Sequence, residues 1–268
     1  MRQITELREI QKLALYIFSK FIEFCEIEKL EYFVGYGSLI GVIRHQGFIP
    51  WDDDIDIWMK RDDYNKFLSD FSEWGKQFGL YINHASTVND NYDRIHTQIC
   101  LNNTSLISKD RQNNFEEGYF IDIFPIDGTP NNRLVRGMKM SYLRFIKIIG
   151  SSSSYKPYKG KIDVIKYCFS LITRNLHTSK IMKKYDIEAS KDRIKHSRYV
   201  QIISPYHRGK NLLFPEGLFK SSIKAQFENI PVNIPIGYDE ILRKIYGDYM
   251  QYPPIEAQQP HHNFDLYM

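Results

Sequence analysis

Residues 51–57, Trp-Asp-Asp-Asp-Ile-Asp-Ile, place four carboxylates within five positions, with isoleucine between the last two. In an extended strand alternate side chains share a face, so this spacing predicts Asp54 and Asp56 projecting together while Ile55 and Ile57 enter a core. Adjacent carboxylates repel unless a cation lies between them, and hard divalent ions with oxygen ligands, Mg²⁺ or Mn²⁺, suit such a pair. The stretch therefore reads as a metal-dependent phosphate-chemistry site within an aspartate strand over 53–59. Asp52 falls on the same face by alternation and reads as an outer partner. Asp53 falls on the apolar face and reads as a strand-end residue bound to a nearby cation.

The residues before it fit that reading. EYFVGY (31–36) predicts a strand, and Gly37-Ser38 turns it into a short helix from Leu39 to Arg44 with Ser38 as N-cap. Backbone N–H groups at such a helix start suit a phosphate. A Gly-Ser pair alone says little, and its weight here comes from the carboxylates that follow. Arg44 and His45 either contact phosphate oxygens, or Arg44 caps the helix C-terminus and neutralises nearby aspartates; the sequence leaves both open.

Further on, GYFIDIFPIDG (118–128) sets Asp122 inside an otherwise apolar strand. A buried carboxylate needs a metal, a cation or a run of donors. A third metal-facing carboxylate beside Asp54 and Asp56 meets that need, the structural alternative being a bond to Arg44 or to backbone N–H groups. Asp127, before glycine, reads as a turn residue.

The surrounding chain predicts a mixed α+β fold. Apolar residues from Ile4 to about Leu30 recur at helical spacing and make one long amphipathic helix. A helix from Asp62 to about Phe71 follows the aspartate strand, and 79–84, 93–101 and 104–108 alternate as strands. Past Tyr199, Pro and Gly break the chain into a hairpin and loops, then a helix from Gly237 to Tyr246 and an extended tail long enough to pack back on the molecule. This divides the chain into a catalytic core over 1–130, a basic helical segment over 131–198 and a C-terminal part over 199–268.

Charge separates these parts. Residues 133–198 hold 17 Lys/Arg and 4 Asp/Glu, leaving 19 basic and 28 acidic residues elsewhere. Solvated helices, an anionic membrane surface and an anionic acceptor all fit such a basic segment. Nucleic acid is a further possibility but is not expected, since no recognised binding motif accompanies the charge. The Ser151–Ser154 run reads as a flexible linker between its helices. Cys25, Cys100 and Cys168 are odd in number and far apart, which argues against disulfides or zinc and for a reducing compartment. With a charged amphipathic N-terminus and no apolar run of about 18 residues, the expected location is the cytoplasm, with peripheral contact at the inner membrane face.

GYGSLIGVIRHQGFIPWDDDIDI, YFIDIFPIDG, FENIPVNIP and YGDYMQYPP together resemble the LicD family of phosphocholine and related phospho-alcohol transferases, whose animal relatives include fukutin and fukutin-related protein. The resemblance covers most of the chain and is weakest over 131–210. It implies a nucleotidyltransferase-type mixed sheet, with Gly37-Ser38 after the first strand, Asp54 and Asp56 on the second and Asp122 on a later one. It implies transfer of an alcohol phosphate, phosphocholine foremost, from a CDP-alcohol such as CDP-choline to a hydroxyl of a cell-surface or lipid-linked glycan. The mechanism read from the residues has Asp122 share a metal and accept the proton of the attacking hydroxyl. Past Pro253-Pro254 the chain departs from the family pattern. Ala257-Gln258-Gln259 stand where basic residues are usual, and His262 matches the family's histidine as a substrate contact. The rival readings are a nucleotidyltransferase releasing pyrophosphate, a sugar-nucleotide glycosyltransferase, and a glycan-binding module without catalysis.

Overall fold

The computed structural model describes residues 2–88, 92–109, 117–152, 171, 177–202, 212–260 and 264–268. The central sheet is mixed, which gives the α+β class expected. Its main path runs β2 (Tyr32–Val34), β3 (Asp56–Lys60), β7 (Phe120–Gly128), β5 (Thr97–Leu101), β4 (Leu80–Asn83). β3 and β7 are parallel and the other pairs antiparallel. β7 is long enough to pair β5 along its first half and β8 (Tyr199–Ile202) along its second, and β9 (Leu213–Pro215) extends β8.

The first helix, α1, spans Leu7–Glu28 and buries the stripe Ile10, Ala14, Ile17, Phe18, Phe21, Phe24 and Cys25. Lys29 ends it in the left-handed conformation (φ 54°). The helix starts later than its periodicity suggests, because Gln3–Ile4 form a short strand, β1, paired with β12 (Phe264–Tyr267). α3 (Arg61–Lys76) outruns its expected end and packs beside α1, with Phe21 on Phe67 and Phe24 on Phe71 at ring separations of 5.6 and 5.1 Å. Aromatic side chains of this size contribute most of such a core.

The rest of the chain builds around this core. α2 (Tyr36–His45) crosses from β2 to the segment before β3, and β6 (Ser105–Ser108) pairs β12. The basic segment supplies α4 (Arg133–Ser151) and α5 (Thr178–Ala189), packed on each other. Ser151 ends α4 rather than opening a linker, Ser152 is buried, and Ser153, Ser154 and Cys168 lie outside the described residues. The expected hairpin is β10 (Ser222–Phe227) with β11 (Ile230–Pro235), and α6 (Tyr238–Tyr246) follows. The C-terminal tail is extended in its last residues, which form β12 between β1 and β6 and bring the two ends together, but it first turns through a 3₁₀ segment at Ile255–Ala257.

Asp127 is not a turn residue. It lies within β7, 3% exposed, and accepts from Arg61 Nε and Nη2 at 2.6 and 2.9 Å. Arg61 Nη1 reaches Asp186 of α5 at 2.7 Å, so one buried guanidinium joins the sheet to the basic segment. Burial alone would lower the Arg61 pKa, but Asp127 and then Asp186 hold it raised.

Candidate active site

The strand that carries the aspartates begins at Asp56, not Asp53, so Asp52 to Ile55 approach it as irregular chain. Strand alternation therefore does not place Asp54; the turn of this loop does. Asp52, Asp53 and Asp54 bring one carboxylate oxygen each within 4.8 Å of one another. Asp53 then diverges toward a small hollow of about 260 Å³ beside β1 and β12, and its carbonyl accepts from Tyr119 Oη at 2.6 Å. Asp52, Asp54 and Asp56 instead line a cavity of about 730 Å³. Asp52 thus belongs with the site, and Asp53 is buried but not on an apolar strand face.

Asp56 is the most perturbed of these groups. Burial, then the charges of Asp54, Asp122 and Asp52, push its pKa well above the ordinary carboxylate value. Its Oδ1 is buried without a hydrogen-bond partner among the described residues. A buried, unpaired carboxylate oxygen facing like charges is what a divalent cation would relieve, so the residues fit such an ion.

Asp122 stands directly across the parallel pair from Asp56. It is 2% exposed, does not line the cavity, and its Oδ1 lies 3.1 Å from Nε2 of the equally buried His96. The His96 ring also stacks at 4.5 Å on Phe124. Asp122 therefore meets histidine rather than Arg44, an arrangement that strand alternation in 93–101 could not disclose.

Gly35 leads into α2. A β-carbon there would fall 2.6 Å from Trp58 Cε2, so the position excludes larger residues. Its N–H donates to Asp56 O at 2.8 Å, and Tyr36 follows in the left-handed region (φ 41°). The N-cap position is Gly35, and Ser38 is the third helical residue. Its Oγ accepts from the Asp56 N–H at 3.0 Å, so it anchors β3 instead of capping α2. Tyr36 and Gly37, in the first turn, line the cavity, and a β-carbon on Gly37 would sit 3.2 Å from Asp52 Oδ2.

Arg44 also lines the cavity, but it neither caps α2 nor binds an aspartate. Its Nη1 donates to Tyr249 O and Gln251 O at 2.9 and 3.2 Å, and its guanidinium lies 4.5 Å over the Tyr252 ring. His45 accepts from Arg44 Nε at 2.9 Å and sets its ring edge-on to Tyr252. Burial and then the Arg44 charge lower its pKa. His262 lies outside the described residues. The far wall comes from Tyr246, Asp248, Tyr249, Gln251, Tyr252 and Ala257. All of these but Ala257 lie in YGDYMQYPP, which the family resemblance marked without assigning it a role.

Comparison with known proteins bears on this geometry. Residues 29–147 match a family model described as the LicD/FKTN/FKRP nucleotidyltransferase domain. Over 271 residues, spanning 100% of both chains, the sequence is 33% identical to the lipopolysaccharide cholinephosphotransferase LicD of Haemophilus influenzae. The chain belongs to the LicD family. It is, as a member, a phosphotransferase enzyme. Shorter likenesses reach an uncharacterised protein of Rickettsia typhi, 33% over 85 residues (31% of this chain, 27% of that one), and one of Rickettsia prowazekii, 39% over 49 residues (17% and 18%). The LicD-family match covers β2 through most of α4, the part that carries every cavity-facing aspartate of the N-terminal half.

Proposed function

We propose that this chain transfers phosphocholine from CDP-choline to a hydroxyl of a lipopolysaccharide glycan and releases CMP. The observation that carries the reading is Asp56, an orphaned carboxylate oxygen among like charges at the wall of a 730 Å³ cavity, in a chain aligned end to end with a cholinephosphotransferase. Asp52, Asp54 and Asp56 would hold Mg²⁺ or Mn²⁺, which neutralises charge on the donor diphosphate and on the departing CMP oxygen. The first turn of α2, at Gly37, offers N–H groups to phosphate. Arg44 adds positive charge on the cavity wall.

In the reaction, the acceptor oxygen bonds to the choline-bearing phosphorus, and the bond from that phosphorus to the bridging oxygen breaks with its electron pair leaving on CMP. The hydroxyl proton passes to Asp54, half-buried where Asp52 and Asp56 are buried. Asp122, behind Asp56 and beside His96, supports the inner edge of the site.

The test is divalent-metal-dependent CMP release with CDP-choline, CDP-ethanolamine, CDP-glycerol and CDP-ribitol offered separately. Fastest release from CDP-choline is expected; pyrophosphate as the leaving group, or no turnover with any donor, would overturn the reading.

A specific observation also favours an acceptor at a membrane surface. α4 exposes Leu134, Met138, Tyr142, Phe145 and Ile148, 40–79% accessible and spaced along one side of a helix that also carries Arg133, Arg136, Lys139, Arg144 and Lys147. Such a face suits the interface of an anionic bilayer, where a lipid-linked glycan would be presented. No helix of the described residues is long and apolar enough to cross a membrane.

A further inference from the structure

The cavity lining is of two chemical kinds. One is the carboxylate group just described. The other is aromatic: Trp51, immediately before the aspartates, and Tyr252, on the tail, meet with ring centres 6.3 Å apart and planes inclined at 58°. Ile49, Pro253 and Ala257 continue the apolar lining, and the Asp248 carboxylate belongs to the same wall. The turn that carries Asp248 is closed by Gln251 N–H donating to Asp248 O at 3.2 Å. Arg44 fixes this turn through its two carbonyl contacts and orders the Tyr252 ring.

A quaternary ammonium group has no N–H donor, so hydrogen-bonding side chains cannot recognise it. It is held by the negative faces of aromatic rings, indole best of all, helped by a nearby carboxylate. An inclined pair of rings leaves a corner in which one cation touches both faces. A neutral polyol would need hydrogen-bond partners in that corner, and the described lining there is aromatic and aliphatic apart from Asp248, Gln251 and Arg44, whose Nε and Nη1 are already engaged by His45 and by the Tyr249 and Gln251 carbonyls.

We propose that the Trp51–Tyr252 corner, with Asp248 beside it, is the subsite for the quaternary ammonium of the transferred group. Trp51 and Tyr252 would thus determine which alcohol phosphate is accepted, an assignment that rests on the phospho-alcohol reading above. A rival use of the same rings, stacking on the cytosine base, is an outcome of the test.

The experiment measures binding by titration calorimetry with Mg²⁺ present, for the wild type, Trp51→Ala, Trp51→Phe and Tyr252→Leu, after thermal melts verify that each variant is folded. The ligands are CDP-choline, CDP-glycerol and CMP. Trp51→Ala is expected to weaken CDP-choline by about five- to thirty-fold while CDP-glycerol and CMP stay within about two-fold, and Trp51→Phe to keep most of the affinity. Equal losses for all three ligands would assign the rings to the base and overturn the proposal, as would no loss for CDP-choline. Tetramethylammonium alone, followed by saturation-transfer NMR, separates this result from the catalytic reading. Contact with it in the wild type and loss in Trp51→Ala sustains the subsite even if CMP is never released; absence of contact in the wild type overturns it.

Discussion

Asp56 and Asp122 are register partners across the parallel β3–β7 pair, yet they face different neighbours: Asp56 lines the cavity, and Asp122 lies 3.1 Å from a buried histidine. Two nearly buried carboxylates side by side are tolerable only when something on each flank offsets the charge. His96 lies against Asp122 on one flank, and the other is where a divalent ion would fit.

Asp56→Asn should therefore separate stability from activity. Removing one of the crowded carboxylates is expected to raise the melting temperature of the metal-free protein, by a few degrees for about 1 kcal/mol. Mg²⁺ should stabilise the wild type measurably and this variant little. CMP release should fall by at least about 10²-fold in Asp56→Asn and in Asp54→Asn, the latter with its fold intact. A fully active Asp54→Asn enzyme would remove Asp54 from the cation site.

Breaking the Arg61 junction should be costly. Arg61 is 6% exposed and bidentate on Asp127, so Arg61→Ala leaves a buried carboxylate uncompensated, and a loss of about 3–5 kcal/mol in urea unfolding is expected. Asp186→Asn removes a partner with more exposure and should cost clearly less.

Acid sensitivity should trace to His84. Burial, the largest cause, lowers its pKa to about 4, with Asp186 opposing and Arg61 and His96 assisting. The unfolded chain binds a proton here near pH 6.5, so the unfolded state takes up more protons between that pH and about 4. Stability conferred by neutral His84 is thus full above pH 6.5 and is lost as pH falls toward 4, by up to about 3 kcal/mol. His84→Gln should flatten that part of a melting-temperature profile; an unchanged profile would assign acid sensitivity elsewhere.

The α4 face gives a direct membrane prediction. Replacing Leu134, Met138 and Phe145 together by Ser should cut co-sedimentation with anionic vesicles several-fold without changing the melt, since all three are exposed. Reversing Lys183, Lys184, Lys191 and Lys195 to Glu should weaken the same binding and make its remainder less dependent on salt. Binding untouched by either set would move the acceptor contact off the basic segment.

Part of this architecture was readable from residue order alone. The α1 stripe, the β10–β11 hairpin and the apolar run around Asp122 follow local periodicity, because burial of one face imposes a period on the chain. The density of carboxylates at 52–56 marked the site for the same local reason: neighbouring charges in one short segment must be near one another however the chain folds.

Long-range partnership set the rest. Tertiary packing made Ser38 an anchor for β3 rather than a cap, because Gly35 must pass against Trp58 and so starts the helix early. It turned Asp127 from a turn residue into the partner of Arg61, and it started β3 at Asp56, handing the placement of Asp54 to a loop. It also brought Trp51 against Tyr252, residues some two hundred positions apart, and gave Arg44 the tail's carbonyls rather than an aspartate. Local sequence determines which side chains can sit on one face of one element. Which elements meet, and so what each buried charge is paired with, is decided by the packing of the whole chain.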